Sequence, residues 1–209
     1  PIVGQEHNSL VVFQWINHLY QETTSPDYID TLYGINATVR RTVLEKVGGF
    51  TAPAPIGSDL VLGRQLLAAG HRIRFVRHSR VQTKYQVESS AYRRQLSRWY
   101  RNRLVHGNRS RHWRDVVVTL WAGINSGFLL FAPLVSLLGL GWLWLLWVPL
   151  LFNSILTQAR MIKIATASCD ELSLTPAQMM KVSLHSFNAW FGMAGGLLDS
   201  FKSTRRLSW

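Results

Sequence analysis

Cysteine is almost missing from these 209 residues. Cys169 stands alone, which excludes an internal disulfide and agrees with a reducing compartment. The seven histidines show no ligand spacing with cysteine or with paired acids, which speaks against a structural zinc site. No glycine loop of the Walker or dinucleotide type occurs, and there is no internal repeat or low-complexity tract. The first residues lack a basic stretch followed by an apolar one, so no signal peptide is visible. With Pro1 where an initiating Met would stand, the chain reads as a fragment. Acids are scarce where bases are dense: residues 70–114 hold 13 Lys and Arg against one acid, Glu88. Charge then disappears, with none between Asp115 and Arg160, a run of 44 residues.

What is present follows from these gaps. The net charge is +12 and the isoelectric point about 10.7. A basic block of this kind can meet nucleic acid, anionic lipid or a phosphorylated substrate, and charge alone does not choose among them. Its neighbour does, because the charge-free run is rich in Leu, Val, Trp and Phe. One bilayer crossing takes roughly 20 apolar residues, so the run predicts two antiparallel membrane helices with a turn around Pro133 to Gly141. Arg109, Arg111 and Arg114 precede the run, and Arg160 and Lys163 follow it. By the positive-inside rule both ends, and the soluble part with them, face the cytoplasm. Trp113, Trp121, Trp142, Trp144 and Trp147 fit interfacial anchors or helix packing equally well.

Along the rest of the chain, Leu10 to Leu19 predicts a short amphipathic helix. Thr42 to Val47 predicts another, stopped by Gly48-Gly49. Thr51 to Gly57, with Pro53 and Pro55, predicts a loop. Ser58-Asp59 then opens a helical apolar period that ends at Gly70. Arg72 to Val76 alternates like a half-exposed strand, which Val81 and Thr83 extend. Ser90 to Arg103 predicts a helix on which Gln95, Arg98 and Trp99 share a face. A helix start is expected at Ser173 to Pro176. Phe187 to Leu198 is apolar but short for a crossing.

The order Gly34, Arg40-Arg41, Leu44, Gly48-Gly49-Phe50, Ser58-Asp59-Leu60, Gly70-His71-Arg72-Ile73, Gln95-Leu96-Ser97-Arg98-Trp99, and then membrane helices resembles the inverting family 2 glycosyltransferases. That group includes the cellulose, chitin and hyaluronan synthases, and the likeness covers about residues 30–160. It implies an α/β fold, a partial GT-A-type domain followed by transmembrane α-helices. Residues 1–114 would be the acceptor half of the cytoplasmic domain, 115–160 a transmembrane hairpin, and 161–209 an interfacial segment with a possible further membrane helix.

An inverting transfer needs one carboxylate to take the proton of the attacking hydroxyl and a cation to stabilise the departing nucleotide diphosphate. The resemblance gives the first role to Asp59, which a plain reading makes the cap of the following helix. It gives the second to Arg98, whose guanidinium fork suits phosphate oxygens; the alternative is a solvated arginine. Trp99 would be a platform for the acceptor sugar or a packing residue near the membrane. Gln95 would bond substrate or backbone. Gly48, Gly49 and Phe50 would line the acceptor side or merely stop a helix. For Arg40 and Arg41 the solvated reading is favoured.

Two departures from the family pattern stand out. Ser58 replaces the Glu of the usual Glu-Asp pair, leaving the base in place. The metal-binding Asp-x-Asp is missing, and Asp27 and Asp30 are not accepted in its stead, so the fragment alone is expected to be inactive. Mg or Mn would serve the full-length enzyme through ligands outside this chain. The expected partners are a nucleotide-sugar donor, a glycan or lipid acceptor and membrane lipids, with no nucleic acid. The sequons Asn36-Ala37-Thr38 and Asn108-Arg109-Ser110 stay unmodified in a cytoplasmic domain. The competing reading is a membrane-anchored basic binding or export subunit without catalysis.

Overall fold

The computed structural model describes residues 1, 7–32, 34, 36–50, 58–77, 79–109 and 112–203. The expected loop Thr51 to Gly57, Arg111 of the basic flank and Ser110 of the second sequon lie outside the described residues. The chain forms two compact units, Pro1–Tyr20 with Lys84–Trp209, and Gln21–Thr83.

The larger unit is helical. It contains α1 (Ser9–Thr24) except its last turn, α4 (Ser89–Arg109), α5 (Trp113–Ser136), α6 (Leu143–Ser168), α7 (Pro176–Leu184) and α8 (Ser186–Ser203). Asn8 caps α1, its Oδ1 accepting the N–H groups of Leu10 (2.9 Å) and Val11 (3.2 Å), donors that a first turn otherwise leaves without partners. Leu10, Val11, Val12 and Phe13 are all buried, so α1 is enclosed on every side rather than along one stripe. Around it gather Tyr92 and Leu96 of α4, Ile162 and Ala165 of α6, Leu172, and Val182 of α7. Phe13 meets Tyr92 edge to face at 6.1 Å, and burial pushes the Tyr92 phenol well above its ordinary range. Thr175 and Gln178 form a reciprocal capping box at the start of α7, with Pro176 in the first turn.

The helices α5 and α6 are long and apolar enough to cross a membrane. The turn between them spans 137–142, with Gly139 at φ 91°. Pro133 lies inside α5 rather than in the turn. Proline has no N–H to give the carbonyl four residues back, that of Leu129; the Trp147 indole Nε1 of α6 donates to that oxygen instead, at 2.9 Å. Arg103 of α4 bonds Asp115 at the start of α5 (2.8 and 3.0 Å), and the last turns of α6 bury Ile162 and Ala165 in the cluster around α1.

Helix α8, read from the sequence as short for a crossing, packs against α4 and α5. A Cβ on Gly196 would stand 2.7 Å from the Ser97 carbonyl oxygen, and one on Gly192 2.7 Å from the Leu96 Cβ. On α5, a Cβ at Gly123 would meet Leu197 at 2.9 Å. Glycine at these positions is what lets the backbones approach.

The smaller unit holds β1 (Tyr28–Ile29), α2 (Arg41–Lys46), α3 (Ser58–Ala68) and β2 (Ile73–Arg74). The strands pair antiparallel, Tyr28 with Arg74 and Ile29 with Ile73, and Leu62, Leu66 and Ile73 are buried. The Arg72 guanidinium sits 3.5 Å from the centroid of the Tyr28 ring. The alternation at Arg72 to Val76 finds only this one partner, and Val81 to Thr83 joins no strand. Among the described residues, therefore, the α/β architecture expected from the sequence is represented by a single two-residue pair, and the chain is otherwise helical.

Candidate active site

Asp59 occupies the first turn of α3, where the helix dipole favours negative charge. Its Oδ1 accepts the following Leu60 N–H at 2.9 Å, one of the first-turn donors that a helix leaves without an intrahelical partner. Its Oδ2 accepts the N–H of Gly34 at 3.3 Å. A Cβ on Gly34 would come within 2.8 Å of that same oxygen, so only glycine leaves the carboxylate where it stands. The second oxygen is thus held from a distant stretch of sequence, which helix capping does not require. Sequence reasoning named Gly34 only as part of a motif, because nothing in its neighbours reveals the contact.

Gly48 and Gly49 lie in the same unit at φ 85° and 71°, and Gly49 N–H closes the end of α2 on the Leu44 carbonyl at 2.8 Å. Among the described residues nothing lies within 4 Å of a Cβ placed at either glycine, and the positive φ is what favours glycine there. Phe50 follows, 65% exposed. Arg41 pairs with Glu45 on the exposed face of α2.

The remaining motif residues belong to the larger unit. Gln95, Arg98 and Trp99 cover about 100° of the circumference of α4. Gln95 Oε1 is buried and has no hydrogen-bond partner among the described residues. Trp99 is 45% exposed. Arg98 lines a groove of about 290 Å³ between α4 and α8, together with Arg93, Arg94, Arg101, Phe191 and Asp199. Ser97 donates to Asp199 at 2.7 Å, engaging the only acid there, while Arg94, Arg98 and Arg101 have no ion pair among the described residues. Sequence reasoning grouped Arg98 with Gln95 and Trp99 and missed Arg94 and Arg101, which the spacing i, i+4 and i+7 places on one stripe of α4; their meeting with α8 has no local signal.

A divalent metal, expected of the full-length enzyme, finds no fit among the described residues. Among the described residues no three His, Cys, Asp or Glu side chains converge. Asp27 is held by Arg77 at 2.6 Å, and that hydrogen bond, with the guanidinium charge, keeps its carboxyl below the ordinary carboxylate range.

No curated protein and no solved structure matches the chain. The sequence profile of glycosyl transferase family group 2, in contrast, matches residues 11–165, well over half of the 209 residues. The matched stretch takes in Asp59, the Gln95 to Trp99 motif and nearly all of the apolar hairpin. The chain belongs to glycosyl transferase family group 2.

Proposed function

We propose that this chain supplies the acceptor side of a membrane-bound, inverting glycosyltransferase related to the polysaccharide synthases. The observation that carries the reading is the single family match running through Asp59, Arg98 and the helices that follow them. Residues 1–114 form the cytoplasmic acceptor half, 115–160 the membrane hairpin, and 161–209 a segment at the membrane surface. Arg114, Arg160 and Lys163 flank the hairpin, the start of α5 is tied to α4 through Asp115 and Arg103, and the end of α6 packs in the core around α1, which supports a cytoplasmic orientation.

In the proposed reaction Asp59 takes the proton of an acceptor hydroxyl. The freed oxygen forms its bond to the anomeric carbon as the bond from that carbon to the diphosphate breaks on the opposite face, which inverts the centre. The nucleoside diphosphate leaves with the electron pair of that bond, and Arg98 balances its negative charge with a fixed guanidinium. Trp99 offers the acceptor ring an apolar face with an N–H at its edge. Phe50, exposed after two glycines of positive φ, is given to the acceptor side by the family resemblance.

The test is a panel of nucleotide sugars given to membranes carrying the full-length protein, with product anomers assigned by proton NMR. One donor should be consumed with inversion at its anomeric carbon. Retention of configuration, or no turnover of any donor, contradicts the proposal.

A further inference from the structure

We propose that the groove between α4 and α8 is a binding site for an anionic phospholipid, with the headgroup phosphate held by Arg94 and Arg101 and the acyl chains lying along α8. Arg94 and Arg101 are seven residues apart, two turns along one face of α4, and both line the groove. Arg98, given above to the donor, stands between them, and Arg93 completes the wall. Of the four, Arg93 alone is engaged among the described residues, its Nε donating to Asn188 at 2.9 Å and its guanidinium lying 5.2 Å from the Phe191 ring centroid. Stacking like charges at i, i+4 and i+7 is unfavourable unless an anion offsets them. Asp199, the acid within reach, is engaged by Ser97.

The second half of the ligand is indicated by α8. Its glycine face turns to α4, while Phe187, Phe191, Leu198 and Phe201 are exposed and fall within about 80° of one another on the opposite side. Phe191 belongs both to this stripe and to the groove, so a phosphate at the arginines continues directly onto apolar surface. The residue of α8 that meets α5, one of the two helices able to cross a membrane, is Leu197, next in sequence to Leu198 of the stripe. A free phosphate would use the arginines and leave the stripe without purpose; an anionic lipid uses both.

The full-length protein, purified in neutral detergent, is titrated with dioleoyl phosphatidylglycerol, dioleoyl phosphatidylcholine, inorganic phosphate or uridine diphosphate, and bound lipid is counted by native mass spectrometry. Phosphatidylglycerol should bind at least about 10-fold more tightly than phosphatidylcholine and weaken as salt rises. The R94Q/R101Q variant should lose about 30-fold in that affinity, whereas R40Q/R41Q, with the same change of net charge on α2, should lose little. Equal binding of the two lipids overturns the proposal, as does an R94Q/R101Q variant that retains phosphatidylglycerol fully. Displacement of the lipid by inorganic phosphate or uridine diphosphate at equal concentration also overturns it, marking a free-phosphate or donor site instead. None of these readouts depends on transfer activity; because Arg98 lines the same groove, displacement by uridine diphosphate alone overturns the lipid site while supporting the donor role of Arg98.

Discussion

Trp147 donates its indole N–H to the carbonyl of Leu129, the oxygen that Pro133 leaves without an intrahelical donor. A proline that would weaken α5 is thereby turned into a joint between the two hairpin helices. Replacing Trp147 by Phe keeps an aromatic ring but leaves the oxygen unpaired. It should lower stability by about 1–2 kcal/mol in an SDS unfolding titration from mixed micelles. In a Pro133→Ala background the restored N–H takes over, and the same substitution should cost less than about 0.5 kcal/mol.

Glycines of the larger unit should divide by their surroundings. Gly196→Val pushes side-chain atoms into the Ser97 carbonyl and the Tyr100 Cβ, and should cost about 1–3 kcal/mol by prying α8 from α4. Gly127, in the middle of α5, meets nothing within 4 Å, and Gly127→Ala should stabilise by up to about 1 kcal/mol through helix propensity. The same unfolding titration reads both.

Two histidines make the fold sensitive to acid. His18 bonds the Tyr85 hydroxyl at 2.8 Å, and His185 the Ser9 hydroxyl at 2.9 Å; burial pushes both imidazoles below their ordinary value of 6.5. Burial also pushes the Tyr85 phenol up to about 12, so it stays protonated throughout this range. Below pH 6.5 the unfolded chain takes up protons that the folded imidazoles refuse, so the unfolded state binds more of them and stability falls as pH falls. The thermal midpoint should therefore drop between pH 7 and pH 5, and His18→Gln with His185→Gln should flatten that slope.

Gly34→Ala tests the hold on Asp59 without touching it. The added methyl would meet Oδ2 at 2.8 Å, and the carboxylate must turn away. If Asp59 is the base, transfer should fall roughly 10- to 100-fold while the folding midpoint barely moves, since the clash is with a side chain that can rotate. Unchanged kinetics would separate Gly34 from the reaction.

The parts legible from the sequence were those written in contiguous residues. A charge-free run marks α5 and α6, Gly48-Gly49 ends α2, and Thr175-Pro176 opens α7. What escaped depends on contacts between distant residues. Glycines made Phe187 to Leu198 look like an interrupted crossing, whereas Gly192 and Gly196 are the surface on which α8 meets α4. Pro133 resembled a turn because its rescue lies in Trp147, on another helix. Helix α1 was read as amphipathic, since nothing local shows that α4, α6 and α7 enclose it. The paired carboxylate and backbone at Asp59 and Gly34 stand 25 residues apart, beyond any local pattern.

The most direct measurement is the transfer rate of Asp59→Asn in the full-length, membrane-reconstituted protein, at matched expression and with donor affinity determined separately. Loss of the base should lower kcat by about 10²- to 10⁴-fold while donor binding and membrane association persist. A variant that transfers sugar at the wild-type rate contradicts the assignment of Asp59 as the group that accepts the proton.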